Sequence, residues 1–207
     1  MYVPAHFSQT DPAETAAFMR HHSFATLITH DGQAPFATQV PVLHHAVDGS
    51  HGVILAHIAK ANPQWRHFAN GQEALVLFHG PHAYISPSWY AAPLAVPTWN
   101  YAAVHAYGVP RIITDHDRLV TLLEELVETH EAGRANRWAG TLPEEYRDKM
   151  VAGIVGFEIV ITRLEAKYKL SQNRPAADAD AVIAALSASP DQTERELAEM
   201  MAMVRTP

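Results

Sequence analysis

Residues Phe78–Tyr101, FHGPHAYISPSWYAAPLAVPTWNY, limit the fold more than any other stretch of the chain. Four prolines fall in it, Pro81, Pro87, Pro93 and Pro97, with six aromatic side chains: Phe78, Tyr84, Trp89, Tyr90, Trp99 and Tyr101. Proline lacks an amide donor and clashes with the preceding turn, so no helix runs through this stretch. Its aromatic content is too high for a solvated linker. The expected structure is a long ordered loop between two strands, packed by its own rings. Ordered loops of that length in compact domains usually carry function. A buried structural loop or a dimer contact is the alternative that composition leaves open.

The chain has 207 residues, 48% hydrophobic and 18% charged, enough for one domain with a sizeable core, or for one domain plus an appendage. A formal net charge of −7 argues against a broad electrostatic grip on nucleic acid or on an anionic membrane. The lack of cysteine removes disulfides, thiolate metal sites and a cysteine nucleophile. No apolar run approaches the roughly 20 residues that span a bilayer. MYVPAHFSQTDP lacks the basic start and apolar run of a signal peptide. The expectation is a soluble cytoplasmic protein.

Local signals predict the elements in order. Thr10-Asp11-Pro12 opens a helix that ends near His22. Phe24–Thr29 and Phe36–Leu43 read as strands around an Asp31-Gly32 turn, and Pro41 suggests an edge or a bulge. Asp48-Gly49 marks another turn before a strand at Gly52–Ile58. Asn62, Pro63 and Gly71 predict the cap, first turn and end of a helix. Ala74–Phe78 is a fourth strand, and Tyr101–Thr114 resumes β structure with a bend near Gly108 and Pro110. Helices follow at Asp115–Glu131 and Pro143–Met150, then a long strand at Ile154–Leu164 continued by Glu165–Leu170 after a kink. Ala177–Ala188 and Asp191–Val204 read as helices broken at Pro190. Short strands with irregularly interspersed helices favour an α+β barrel over a doubly wound sheet. The expected domains are a barrel over 1–176 and a helical extension over 177–207.

Few residue patterns point to chemistry. Lys60 lies just before the Asn62 cap, where free helix amides and the helix dipole attract an anion. An ordinary capped helix with a solvated lysine explains the same residues and is the commoner case. His21-His22 and His44-His45 are adjacent pairs, and His79 and His82 lie three apart. Neighbours on a strand face opposite ways, and no HExxH motif is present, so surface or structural histidines are expected rather than a metal site. Ser86 and Ser88 flank Pro87 without a Gly-x-Ser-x-Gly elbow. Asp115 and Asp117 begin a helix and read as caps. GxGxxG and P-loop motifs are absent. Lys167–Pro175, KYKLSQNRP, is dense in donors. It is either a polar surface turn or, with Lys60 and the aromatic loop, the wall of a pocket for a flat anionic ligand.

Several long blocks resemble the PaiB family of FMN-binding proteins: MYVPAHF, HIAKANPQW, FHGPHAYISPSWY, VPTWNYAAVHAYG, HEAGR and ITRLEAKYKLSQNRPA. They run from Met1 to about Ala176. The resemblance implies an FMN-binding split barrel, a Greek-key β-barrel with flanking helices, usually a homodimer with FMN at the subunit interface. By similarity, Thr38, Gln39, Val40 and Pro41 line the isoalloxazine ring. Ala56, His57, Lys60 and Asn62 hold the ring edge and phosphate, with Lys60 as the phosphate cation. Ser86, Trp89 and Trp99 of the aromatic loop, and Lys169, Ser171, Gln172 and Asn173, come from the partner chain. AKAN is less basic than the phosphate site of the superfamily's oxidases.

The family name also implies negative transcriptional regulation. The chain is acidic and shows no helix-turn-helix with a basic recognition helix, so regulation through flavin chemistry or a partner protein fits better than direct DNA contact. The alternatives are a flavin-dependent oxidoreductase acting on a small molecule, or a barrel that binds haem or another ligand.

Overall fold

Capping chemistry sets where the helices begin. In the computed structural model, which describes residues 1–47, 50–92, 94–138, 140 and 142–205, the Asp11 carboxylate accepts from the amides of Ala13 (2.7 Å) and Glu14 (3.3 Å). This opens α1, Pro12–His21. Asp115 accepts from the Arg118 amide at 2.8 Å and starts α2, His116–Glu131. Helices α3 (Glu144–Val151) and α4 (Ala176–Ser187) follow Pro143 and Pro175. Asp191 caps α5, Gln192–Met203, through the amides of Thr193 and Glu194. The Asp48-Gly49 turn and Pro93 lie outside the described residues.

The strands are β1 (Phe24–His30), β2 (Pro35–His45), β3 (Val53–Ala59), β4 (Ala74–Ile85), β5 (Thr98–Gly108), β6 (Pro110–Ile112), β7 (Ile154–Val160) and β8 (Arg163–Lys169). Their hydrogen-bonded order is β6-β7-β3-β2-β1-β4-β5-β8. The β1–β2 hairpin closes through Asp31, whose carboxylate accepts from the amides of Gln33 and Ala34 at 2.7 Å. Helices and antiparallel strands together make the expected α+β class.

The chain divides into two compact units. A central unit comprises Met19–Phe78 and Ala106–Leu164, and a terminal unit comprises Met1–Phe18, His79–His105 and Glu165–Pro207. In the central unit, Leu27, Val40, Ile54, Ala56, Val76, Phe78, Phe157 and Ile159 are fully buried. A second apolar layer joins Leu43 with Ile113, Leu119, Leu122, Leu126 and Val151, so α2 covers the outer side of β2 and β3. Gly156 makes this possible: a Cβ there would lie 2.4 Å from Leu119 Cδ1. In the terminal unit, Ile85, Ala102, Val104 and Leu170 are buried with Val182 and Leu186 of α4 and with Leu197 and Met201 of α5.

Four elements differ from the sequence expectation. Strand β4 runs seven residues beyond Phe78, to Ile85, so the aromatic stretch is half strand, and the loop shrinks to 86–97. The burial alternation of β4 slips by one residue at Gly80-Pro81, both buried, as a β-bulge requires. Proline is tolerated at a bulge because no ladder bond is lost. Pro41 lies on an interior strand rather than an edge. The Val42 amide donates to Ser23 O at 2.9 Å on the β1 side, so the amide that Pro41 lacks would face β3, where pairing starts only at Val42↔Ala56. The expected strand 154–164 breaks at Ile161-Thr162, where the Thr162 amide and hydroxyl both turn to Tyr107 O. The element after Asn62 is a 3₁₀ helix, Pro63–Asn70, ended by Gly71 at φ 64°.

Candidate functional site

The junction between β3 and the 3₁₀ helix gathers one group of expected site residues within the central unit. Asn62 Oδ1 accepts from the Gln64 amide (3.0 Å), and its Nδ2 donates to Thr38 Oγ1 (3.0 Å). One side chain thus caps the helix and fastens it to β2. Gln64 is fully buried, and its amide donates to Leu27 O, Thr29 Oγ1 and Phe36 O, pinning the helix across the β1–β2 hairpin. The amides of Lys60 and Asn62 are taken by Gly153 O and Ala59 O. At the start of the helix itself Pro63 has no amide proton and the Gln64 amide goes to Asn62, so the junction offers fewer open amides than the sequence suggests.

What remains for an anion is side-chain charge. Lys60 is exposed. Arg66, which sequence reasoning did not single out, stacks on Trp65 with its guanidinium carbon 5.6 Å from the ring centroid. Trp65 Nε1 in turn donates to Lys60 O at 3.0 Å. The junction thus carries two cations, Arg66 over the indole and Lys60, whose backbone carbonyl the indole holds. The readable signal was the pair Trp65-Arg66 one turn past the cap.

Register separates the other central residues. Thr38 and Val40 oppose Leu27 and Ala25, and Val42 opposes Ala56, so Thr38, Val40 and Ala56 share the inner face of β2 and β3. Gln39, Pro41 and His57 point the other way. His57 pairs with Gly156, and its Nδ1 is buried without a hydrogen-bond partner. No single flat ligand can lie against all these side chains. A flavin ring can meet one face and the intervening backbone, and the donor set of Thr38, Asn62, Lys60 and Arg66 fits an FMN phosphate and polar ring edge.

The second group belongs to the terminal unit. Ser86 and Ser88 share a hydroxyl hydrogen bond of 2.7 Å. Trp99 is half exposed and stands 6.1 Å from Tyr84 and 6.3 Å from His82, while Trp89 is half-buried. The donors of KYKLSQNRP are mostly engaged within the unit. Lys167 donates to Tyr2 O, and Lys169 to Thr98 Oγ1 and Trp99 O. Ser171 Oγ accepts from Asn100 at 2.9 Å, and Gln172 bonds the Leu170 amide and Tyr168 O. Asn173 is exposed. Burial, then the charges of Lys167 and Arg174, push the Lys169 ammonium below its ordinary pKa.

Of the histidine pairs, His44-His45 separates as strand geometry requires, whereas the rings of His21 and His22 lie 4.8 Å apart and those of His79 and His82 4.7 Å. His44 is buried and bonds His51 O at 2.9 Å, whereas His45 meets Glu125 at 3.1 Å. Among the described residues no three His, Asp or Glu side chains converge as metal ligands. Burial holds His44 and His57 below the ordinary imidazole pKa. The unfolded chain therefore takes up protons first as pH falls through about 6.5. Stability is full above that pH and is lost as pH falls toward the folded values. The thermal midpoint is expected to be flat above about pH 7.5 and to drop steadily toward about pH 5.5. A midpoint unchanged across that window would show that these imidazoles are not held neutral.

Comparison with known proteins gives a consistent answer. A family model described as "Putative FMN-binding domain" matches residues 1–163. The protein is 39% identical over 203 residues to "Protease synthase and sporulation protein PAI 2" of Bacillus subtilis (strain 168), covering 97% of this chain and 96% of that one. The flavocytochrome Anf3 from Azotobacter vinelandii shares the fold with a TM-score of 0.60 at 14% identity, over 81% of this chain and 72% of that one. The FAD and heme binding protein from Mycobacterium smegmatis does so with a TM-score of 0.59 at 16% identity, over 84% and 78%. The family match and the near full-length identity agree with the β3 junction: the chain belongs to the PaiB family of FMN-binding split-barrel proteins.

Proposed function

We propose that this protein is a homodimer that binds FMN at its subunit interface, and that it acts as a negative transcriptional regulator without gripping DNA itself. The observation that carries the cofactor assignment is the Asn62 bridge to Thr38 beside Lys60 and Arg66, which supports a phosphate site at the end of β3. Thr38, Gln39, Pro41 and His57 keep accessible surface and would meet the flavin, whereas Val40 and Ala56, buried in the core, would offer it backbone only. Trp99 and Lys169, with Ser86, Trp89, Ser171, Gln172 and Asn173, would reach it from the second copy. Support for a second copy comes from the open side of the terminal unit. Tyr84 is 45% exposed and Trp99 54%, a pairing that favours an interface over water. Residues 177–207 would form a helical extension to the barrel.

The regulatory role rests on the name of the Bacillus relative, which concerns protease synthesis and sporulation. The net charge of −7 favours an indirect effect over a phosphate-tracking one.

The test is a fluorescence titration with FMN combined with sedimentation equilibrium. One FMN per protomer and a dimer at micromolar concentration are expected, and Trp99→Ser should weaken both together. A monomer that binds FMN with undiminished affinity would overturn the shared site. Sequence-selective retardation of DNA that weakens with salt would overturn the indirect role.

A further inference from the structure

A second cationic position lies in the terminal unit, apart from the β3 junction. Ser171 adopts φ 67°, a left-handed conformation that L-residues other than Gly, Asn and Asp rarely take. The conformation is enforced locally. Asn100 donates to its hydroxyl, Gln172 bonds the Leu170 amide, and the Arg174 amide returns to Ser171 O at 2.9 Å. The outcome of this tight turn is the placing of Arg174. Its guanidinium carbon lies 4.5 Å from the centroid of the Tyr90 ring. A guanidinium over a ring face keeps N–H groups free to donate elsewhere. No carboxylate pairs with it among the described residues.

The surroundings are apolar. Arg174 lines an open pocket of about 350 Å³ with Leu94, Ala95 and Val96. Leu94 is 91% exposed and Val96 68%, unusual for branched aliphatic side chains in an ordered loop. The loop does not hang free. Asp178, itself buried at the start of α4, accepts from the amides of Ala91 (2.9 Å) and Ala92 (3.4 Å). A loop anchored at Ala91 and Ala92 therefore presents apolar side chains beside a cation that meets no carboxylate among the described residues.

We propose that Arg174 is the anion-recognition residue of a small-molecule site that takes an organic carboxylate with an apolar body. The carboxylate accepts from the guanidinium edge, and Leu94, Ala95 and Val96 cover the apolar part. Lys169 and Lys167 add positive potential. The site stands on the terminal unit, and Lys169 is shared with the proposed flavin site, so the test is made on FMN-saturated protein.

Calorimetric titration of the FMN-saturated protein with benzoate, and with neutral benzamide as its isostere, tests this. Benzoate is expected to bind at least tenfold more tightly than benzamide. Arg174→Ala should weaken benzoate by about ten- to a hundredfold, the range for a hydrogen bond to a charged group, and leave FMN affinity unchanged. Leu94→Ser alters an exposed side chain and so keeps the fold; it should weaken benzoate about fivefold through lost apolar cover. This second variant decides the matter if Arg174→Ala does not fold. Equal binding of benzoate and benzamide, no benzoate binding, or indifference to either substitution would overturn the proposal. A parallel loss of FMN affinity in Arg174→Ala would overturn it too, by assigning the guanidinium to the flavin phosphate.

Discussion

Replacing Lys60 and Arg66 together by alanine is expected to lower FMN affinity about a hundredfold while leaving riboflavin binding unchanged. Riboflavin has the same ring and ribityl chain but no phosphate, so the comparison isolates the charged end. Each cation should account for roughly tenfold, or about 1.4 kcal/mol, the scale of a solvent-accessible charge-assisted contact. Their effects should add, because Trp65 meets the Arg66 guanidinium but only the backbone carbonyl of Lys60, which the substitution keeps. Both side chains are exposed, so the thermal midpoint should not move, and the affinity gap should narrow between about 50 mM and 500 mM salt. Equal losses for FMN and riboflavin would mean that the pair supports the ring or the local fold. No loss for either would put the phosphate somewhere other than the end of β3.

Gly52→Ala is expected to be a strongly damaging methyl addition in the central unit. Gly52 has φ 89°, where an L-residue is strained by roughly 1–2 kcal/mol. The added Cβ would lie 2.4 Å from His45 O and 2.6 Å from His44 Nε2. The first atom is backbone and cannot rotate away. The second belongs to a buried imidazole held by His51 O. Gly52 O also accepts from the Ile161 amide at 3.0 Å, so a shift at residue 52 disturbs the end of β7. Strain and overpacking together suggest a loss of about 3 kcal/mol, a drop of roughly 6–12 °C in the thermal midpoint for a domain of this size. Gly32→Ala is the control: φ is 99° there but nothing lies within 4 Å of the new carbon, so only the backbone strain should register. If the two variants melt alike, the contact with His45 and His44 is not the cause.

The features readable in the sequence were those decided within a few residues. Asp11, Asn62 and Asp115 cap their helices through amides two or three positions on, and Gly71 ends its helix in the left-handed conformation, as their residue types imply. Features set by distant partners were not readable. Pro41 reads as an edge or a bulge, and the sequence cannot rule out the edge because it does not show that pairing passes from β1 to β3 beside it. Gly80-Pro81 reads as the start of a loop because a bulge and a turn use the same residues. The same limit applies to the candidate sites. Asn62 was visible as a cap, but its bond to Thr38 joins residues 24 positions apart. The lysines of KYKLSQNRP looked available, and the fold engages them with Tyr2, Thr98 and Trp99. Arg174 was one donor among several until its stacking on Tyr90 set it apart.

The division of the chain has a consequence for how it is made. The polypeptide passes between its two units after residues 18, 78, 105 and 164. The amino group of Met1 pairs with Glu165, across almost the whole of that path. The central unit has all of its chain once residue 164 has left the ribosome. The terminal unit must wait for β8, α4 and α5, so its first 18 residues and the exposed aromatic segment around Trp99 spend most of synthesis without their partners. Contacts of such long sequence separation close slowly. The open rings of the second segment are what a nascent chain most needs shielded during that interval, which makes the order of translation part of this fold's design.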